Sequence, residues 1–210
     1  MTSTSSSTFS IQAVQKRRKI AALMSGIVIV VFAMFTQSFD GIHSVWHEIV
    51  EWTGRAAIAV AIIGRAWCSL YIGGRKKAEI VDRGPYSVTR NPLYFFTFIG
   101  AFGVGAQAGS LVIAILFVIA AVIVFAATVE REEAWLGSHF GESYRVYCAR
   151  TPRFLPRMSL WRDDGDLMVR PAFFLLTLRD GLAFLLAIPL FEFIDYCQAQ
   201  GWLPVLVHLP

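Results

Sequence analysis

Apolar residues run without a charge from Ile20 to Phe39. That is about twenty residues, enough to cross roughly 30 Å of hydrocarbon at about 1.5 Å per residue. A second apolar run covers Gly54 to Ile72, with Arg65 in its interior. Two more, Pro92 to Ala106 and Ser110 to Val129, are separated only by Gln107, Ala108 and Gly109, and this spacing predicts a helical hairpin. A fifth run, Ala172 to Phe193, carries Arg179, Asp180 and Glu192. The pattern predicts an all-α integral membrane bundle of about five transmembrane helices with a cytoplasmic helical segment. Gly100, Gly103, Gly105 and Gly109 fall within the hairpin, where small residues let helices approach closely, and they read as packing positions rather than a phosphate cradle.

Composition agrees with that reading. The 210 residues are 56% hydrophobic and 16% charged, whereas a soluble domain is normally about a quarter charged. Cys68, Cys148 and Cys197 are far apart and lack metal-ligand spacing, so they read as free thiols. The net charge of +4 does not indicate nucleic acid, because the basic residues lie just outside apolar runs and form no polar stripe.

The placement of those basic residues predicts sidedness. Sixteen of the nineteen Lys and Arg precede the first run, lie between the second and third, or lie between the fourth and fifth. Asp40 to Thr53 has none. The positive-inside rule therefore places the N-terminus and the intervening basic segments in the cytoplasm, and five spans leave the C-terminus outside. Lys16, Arg17, Arg18 and Lys19 before the first run also suit a signal peptide, but the run is long for one and lacks a small-residue cleavage site, which favours an uncleaved anchor. Residues 1–19 are expected to be a disordered basic N-terminus, residues 20–157 the core, and residues 158–210 an extension containing the fifth span.

Two cytoplasmic segments carry candidate chemistry. The fourth run continues into Glu130-Arg-Glu-Glu133-Ala-Trp-Leu136 with no breaker until Gly137. Gly141 to Tyr147 then predicts a short helix with Phe140, Tyr144 and Tyr147 on an aromatic face. That face suits either an interfacial helix at headgroup level or a binding site. Glu130, Glu132 and Glu133 stand at the membrane boundary, where carboxylates need a partner, either Arg131 and the basic loops or a polar cavity. Between the second and third runs lies Arg83-Gly-Pro-Tyr86-Ser-Val-Thr-Arg90-Asn91-Pro92-Leu-Tyr94. Pro92 suits a first helical turn, which places Arg90, Asn91 and Tyr94 around a helix N-terminus. Such a terminus with Arg beside it suits a carboxylate or phosphate, or an Arg that snorkels to lipid phosphates. Arg65 reads either as snorkelling or as lining a path through the bundle, and Arg179 and Asp180 as an internal ion pair or part of the same path.

Gly84-Pro-Tyr86-(x3)-Arg90-Asn91-Pro92-Leu-Tyr94, followed by Glu132-Glu133-(x2)-Leu136-(x3)-Phe140-Gly141-Glu-(x)-Tyr144-(x2)-Tyr147-(x4)-Pro152-Arg153-Phe154-Leu155-Pro156, resembles the isoprenylcysteine carboxyl methyltransferase family and its phospholipid methyltransferase relatives. The resemblance covers roughly residues 55–157. Asn91 stands where the isoprenylcysteine enzymes usually carry His, and the Asn-Pro-x-Tyr version is similar to the phosphatidylethanolamine methyltransferase branch.

The resemblance implies an S-adenosylmethionine-dependent methyltransferase whose methyl acceptor is hydrophobic or lipid-like, carries a carboxylate or amine, and arrives from the membrane lipids. It implies a cofactor site built from Tyr86, Arg90, Asn91, Tyr94, Glu132, Glu133, Tyr144 and Tyr147. Arg90 or Arg153 would hold the cofactor's carboxylate, Glu132 and Glu133 would accept from its hydroxyls and amine, and the aromatic faces would favour its sulfonium. Arg153 is the candidate for orienting an anionic acceptor and Glu133 for taking a proton from an amine. A membrane sterol reductase using a nicotinamide cofactor and a non-enzymatic membrane adaptor of the same fold remain alternatives.

Overall fold

The computed structural model describes residues 20–39, 41, 44–73, 75, 79–163, 167 and 169–209. The expected disordered N-terminus, with Lys16 to Lys19, lies outside the described residues. The remainder is a helical bundle in which α1 (Ile20–Ala33), α2 (Val45–Ile72), α4 (Pro92–Ala106), α5 (Leu111–Phe140) and the α7–α8 stretch (Pro171–Ala199) fall on the five apolar runs. Three of these, α2, α5 and the α7–α8 stretch, are long and apolar enough to cross a membrane, and α1 and α4 are shorter. The last stretch is an α-helix at Pro171–Leu182 (α7), a 3-10 turn at Ala183–Leu186 and an α-helix at Ala187–Ala199 (α8). Two short helices, α3 (Pro85–Val88) and α6 (Glu142–Arg150), belong to the connecting segments.

The outward surfaces are apolar. Ile115, Ile119, Val122 and Ile123 on α5, Leu23, Ile27, Val28 and Val31 on α1, and Leu175, Leu186, Leu190 and Phe193 on the last stretch are all exposed. Helices with apolar residues on their outer as well as inner faces are stable when the outer face meets lipid. Inside, α4 packs between α2 and α5. A Cβ on Gly103 would lie 2.7 Å from Gly54 O and 2.9 Å from Ile58 N, and a Cβ on Gly54 would lie 2.9 Å from Gly103 O, so α2 and α4 touch through backbone. This is the close packing predicted for the hairpin glycines.

Several boundaries differ from the sequence expectation. The first run is helical only to Ala33. Thr36–Ser38 forms a strand, β1, that pairs in parallel with β2, Val207–Leu209, with Thr36 opposite Val207. Gln198 at the end of α8 donates to Met34 O at 3.0 Å and Thr36 O at 3.1 Å, so the chain leaving α1 is tied to the C-terminal segment rather than continuing as helix. The α2 helix begins at Val45 and not Gly54, because Ser44 caps it by accepting from His47 N at 3.1 Å. Its polar first turns also find partners, described below.

The α5 helix passes through Gly137 and ends at Gly141, where φ is +52°. One interior Gly costs about 1 kcal/mol, too little to stop a helix flanked by Glu, Ala, Trp and Leu; the left-handed conformation at Gly141 does stop it. Phe140 is consequently the last residue of α5, against Trp135 and His139, and does not share a face with Tyr144 and Tyr147. At 30 residues, α5 is roughly 45 Å long, so its last third outruns a hydrocarbon layer of about 30 Å. Glu132 and Glu133 are carried on that extension.

Candidate active site

The two motif segments meet at one end of the bundle. The loop from Gly84 to Asn91 is stitched to residues 152–162 by backbone: Arg90 N donates to Pro152 O at 2.8 Å, Arg157 N to Val88 O at 3.0 Å, and Gly84 N to Arg162 O at 2.8 Å. Buried Thr89 adds its hydroxyl, which reaches Arg153 O at 3.2 Å and Phe154 O at 3.1 Å. Gly84 is needed here, with φ at +52° and a Cβ position only 2.3 Å from the Tyr71 ring. Trp67 of α2 stacks on Trp161 at 5.6 Å between centroids, which fastens the far end of the segment.

This framework surrounds a cavity of about 380 Å³, within the range of small-molecule sites. Tyr86, Arg90, Asn91, Tyr94, Glu132, Glu133, Tyr144 and Tyr147 all line it, so every residue of the predicted cofactor set is brought together. Arg153 does not line it. Its Nε lies 3.0 Å from Glu133 Oε2, and its guanidinium stands over the Phe154 ring at 5.4 Å.

Glu133 organises the charged side. Its Oε1 accepts from Asn91 Nδ2 at 3.0 Å and lies 3.8 Å from Arg90, while Oε2 faces Arg153. Asn91 Nδ2 also donates to Arg153 O at 3.1 Å. Asn91 therefore makes no side-chain cap for α4, and its amide instead bridges the two motif segments. Both carboxylate oxygens of Glu133, the residue expected to take a proton from an amine, are thus engaged by protein donors or cations.

Arg90 NH1 donates to Cys148 Sγ at 2.9 Å. Burial works against its charge, but Cys148 and Glu133 more than offset this, so its pKa lies above the ordinary value and the guanidinium stays charged. Among the described residues its Nε has no hydrogen-bond partner, and neither does the buried hydroxyl of Tyr86. Tyr147 donates its own hydroxyl to Tyr86 O at 2.8 Å. Burial pushes the phenols of Tyr86, Tyr144 and Tyr147 upward, and the Cys148 side chain adds to the effect at Tyr144. All three are neutral hydrogen-bonding groups at physiological pH.

The cavity also takes in residues outside the predicted set. Arg65, Thr97, Phe125 and Leu136 line it together with Glu79 and several aliphatic side chains. Arg65 is bonded to the Thr97 hydroxyl, and its Nε is buried without a partner among the described residues. Phe125 packs on Tyr94 at 5.5 Å between centroids. Arg65 stands two turns inside α2 from Ile72, as Phe125 stands two turns inside α5 from Glu132, which puts both about 10 Å deeper than the charged mouth. A charge in mid-span was the available signal for Arg65, but nothing local distinguishes Thr97 or Phe125 from ordinary core residues. Arg179 and Asp180, the other candidates for a path, pair with each other at 3.3 Å and are exposed.

A model of the phospholipid methyltransferase family matches residues 56–143, which contain most of the cavity. The nickel-cobalt-cadmium resistance protein NccN of Alcaligenes xylosoxydans xylosoxydans is 33% identical over 201 residues, covering 92% of this chain and 91% of that protein. The cobalt-zinc-cadmium resistance protein CzcN of Cupriavidus metallidurans is 33% identical over 187 residues, covering 87% of this chain and 85% of that protein. The protein-S-isoprenylcysteine O-methyltransferase of Schizosaccharomyces pombe is 31% identical over 99 residues, covering 47% of this chain and 42% of the enzyme. No solved structure matches. A match to the phospholipid methyltransferase family over residues 56–143, which span the cavity, and near-full-length similarity to NccN and CzcN lead to one conclusion: the chain belongs to the same family of proteins as NccN and CzcN and carries within it a segment similar to the phospholipid methyltransferases.

Proposed function

We propose that the protein transfers a methyl group from S-adenosylmethionine to a hydrophobic, lipid-like or isoprenoid-linked acceptor bearing a carboxylate or an amine. The observation that carries this reading is the gradient along one cavity, from Arg90, Glu132 and Glu133 at its mouth to Arg65, Thr97 and Phe125 inside the bundle. The donor set fits the cofactor. A charged guanidinium whose Nε has no partner among the described residues suits a carboxylate, and the Glu132 carboxylate and the Tyr86 hydroxyl, the latter without a partner among the described residues, suit an amino group and a ribose. Bound there, the cofactor supplies an electrophilic methyl group on a sulfonium.

The protein's own contribution is alignment. In-line displacement needs donor and acceptor in near-attack geometry, and fixing that geometry can supply much of the rate. Glu133 holds Arg90 and Asn91 in place, Tyr94 and Tyr144 present aromatic faces favourable to a sulfonium, and the apolar interior excludes water. Arg65 replaces Arg153 as the residue that orients an anionic acceptor, because it reaches the cavity and Arg153 is turned toward Glu133. The basic asymmetry of the sequence supports a cytoplasmic mouth.

The names of NccN and CzcN supply a physiological setting, resistance to nickel, cobalt, zinc or cadmium ions. The test is incorporation of tritium from methyl-labelled S-adenosylmethionine into organic-extractable material by protein reconstituted in membranes of its host. Label that appears with wild type and falls at least tenfold in Arg90→Lys supports the reading. Label confined to water-soluble products, or none at all, overturns it.

A further inference from the structure

At the opposite end of α2 from the cavity stands a second cluster that the methyltransferase reading does not use. His47 and Glu51 lie one turn apart on α2 and therefore project from the same face. Asp195 comes from α8. His47 Nε2 is 3.5 Å from Asp195 Oδ2 and 4.0 Å from Glu51 Oε1, and the three donor atoms all lie within 4.8 Å of one another.

The His47 ring is fixed in place. Its side chain is only 4% exposed, and Nδ1 is buried against Gly109 without a hydrogen-bond partner among the described residues; a Cβ on Gly109 would sit against that nitrogen. Only a Gly at this turn, with φ at +62°, leaves room for the ring. The packing thus directs Nε2 toward the two carboxylates.

The local charge does not balance. Glu48, Glu51, Glu192 and Asp195 surround the site, and Arg55 is the one guanidinium paired there among the described residues, 3.4 Å from Glu51 Oε2 and 3.1 Å from Glu192 Oε1. Glu48 and Glu192 are exposed, but the Glu51 and Asp195 side chains are just 14% and 22% exposed, and beside a neutral imidazole these two carboxylates have only Arg55 between them among the described residues. Sequestered carboxylates need a counter-charge, and a dication provides it in a single step.

We propose that His47 Nε2, Glu51 Oε1 and Asp195 Oδ2 bind one divalent transition-metal ion of the zinc, cobalt or nickel type. The imidazole nitrogen favours these ions over magnesium or calcium. Ligands at about 2.0–2.2 Å in a tetrahedron lie roughly 3.4 Å apart. Asp195 is already at that spacing from His47, and Glu51 reaches it by a small side-chain adjustment. Three protein ligands leave the fourth position to water. Arg55 on the far oxygen of Glu51 supplies the outer contact that orients a ligating carboxylate. Glu51 and Arg65 are fourteen residues apart on one helix, about 21 Å, so the ion is remote from the proposed methyl transfer and the proposal does not depend on it.

The experiment uses full-length, untagged protein in detergent, stripped with chelator and titrated with Co²⁺, followed by calorimetry and by the visible ligand-field bands of the bound ion. Wild type is expected to bind one Co²⁺ per chain, displaceable by Zn²⁺. Asp195→Asn and Glu51→Gln should each weaken binding by about tenfold or more and alter the bands. Glu142→Gln, on an exposed helix at the other end, should do neither. Glu133→Gln should keep the Co²⁺ site, so failure here and failure of the methyltransferase reading are separable. His47→Gln is a third ligand variant, and helical content by circular dichroism reports whether each variant is folded. Equal Co²⁺ affinity in wild type, Asp195→Asn and Glu51→Gln overturns the proposal, as does binding in wild type with no ligand-field signature of nitrogen and carboxylate donors. Either result leaves the cluster a simple ion-pair network.

Discussion

Asn91 donates from Nδ2 to Glu133 Oε1 at 3.0 Å across 42 residues of sequence, joining the N-terminus of α4 to the extension of α5. Through this bond the helical hairpin closes on itself at the cavity mouth. The same carboxylate sits beside Arg90 and Arg153, so one side chain sets the positions of three others.

Glu133→Gln is therefore expected to weaken S-adenosylhomocysteine binding far more than Glu142→Gln. Losing a charge-assisted contact in a half-buried network costs about 1.5–3 kcal/mol, or roughly tenfold to a hundredfold in affinity. Glu142 is 70% exposed and pairs with exposed Arg145, so its change should stay within about 0.5 kcal/mol. Dissociation constants of the two folded variants check this. Equal values would make Glu133 a structural residue only.

Arg90→Lys should be nearly as damaging, because an ammonium cannot serve Cys148, Glu133 and a ligand in one plane. The expected loss in affinity is again about tenfold or more. Titration of the variant with S-adenosylhomocysteine measures it.

The glycines provide a stability test independent of function. Gly103→Ala would push a methyl to within 3.0 Å of Gly54 O, Ile58 Cγ1 and Ile58 N, and is expected to cost about 1–3 kcal/mol by forcing α2 and α4 apart. Gly137→Ala meets nothing closer than 3.7 Å, at the edge of the Tyr144 ring, and should stabilise by up to about 1 kcal/mol through helix propensity. Denaturation midpoints in detergent should move in opposite directions.

Alkali should destabilise the fold through the cavity phenols. Tyr86, Tyr144 and Tyr147 all have folded pKa values raised above the ordinary 10.0 by burial. A group whose folded pKa is raised contributes fully below its unfolded value and loses that contribution as pH rises through the folded one. Stability from these groups should thus be level up to about pH 10 and decline above it. Thermal melts at pH 8, 9.5 and 11 check the sign, and Tyr147→Phe should show a shallower alkaline fall. A decline between pH 8 and 9.5 accompanied by tyrosinate absorption would contradict the burial of these rings.

The sequence made the bundle legible because each apolar run is long and nearly free of charge, and membrane helices need only local hydrogen bonds to form. The family resemblance of its two motifs implied that Tyr86 to Tyr94 and Glu132 to Tyr147 come together, and residues of both segments line one cavity. What the sequence hid was set by partners distant in the chain. The strand at Thr36 exists because Val207 lies beside it, and no local pattern over three residues announces that pairing. The α2 helix extends back to Val45 because His47 and Glu51 find Asp195 and Arg55, whereas the sequence shows only a segment of mixed polar and apolar residues before an apolar run. Arg153 belongs to the right motif but faces Glu133, and Arg65, outside either motif, supplies the deep guanidinium. Spacing identifies the segments that meet, while side-chain direction depends on the packed fold.

The most direct test of the account is calorimetric titration of the purified full-length protein with S-adenosylhomocysteine and, separately, with NADPH. A single saturable site for S-adenosylhomocysteine, weakened by Glu133→Gln and untouched by Glu142→Gln, with no heat from NADPH, is the predicted result. Saturable binding of NADPH with none of S-adenosylhomocysteine would contradict it and assign the cavity to a reductase.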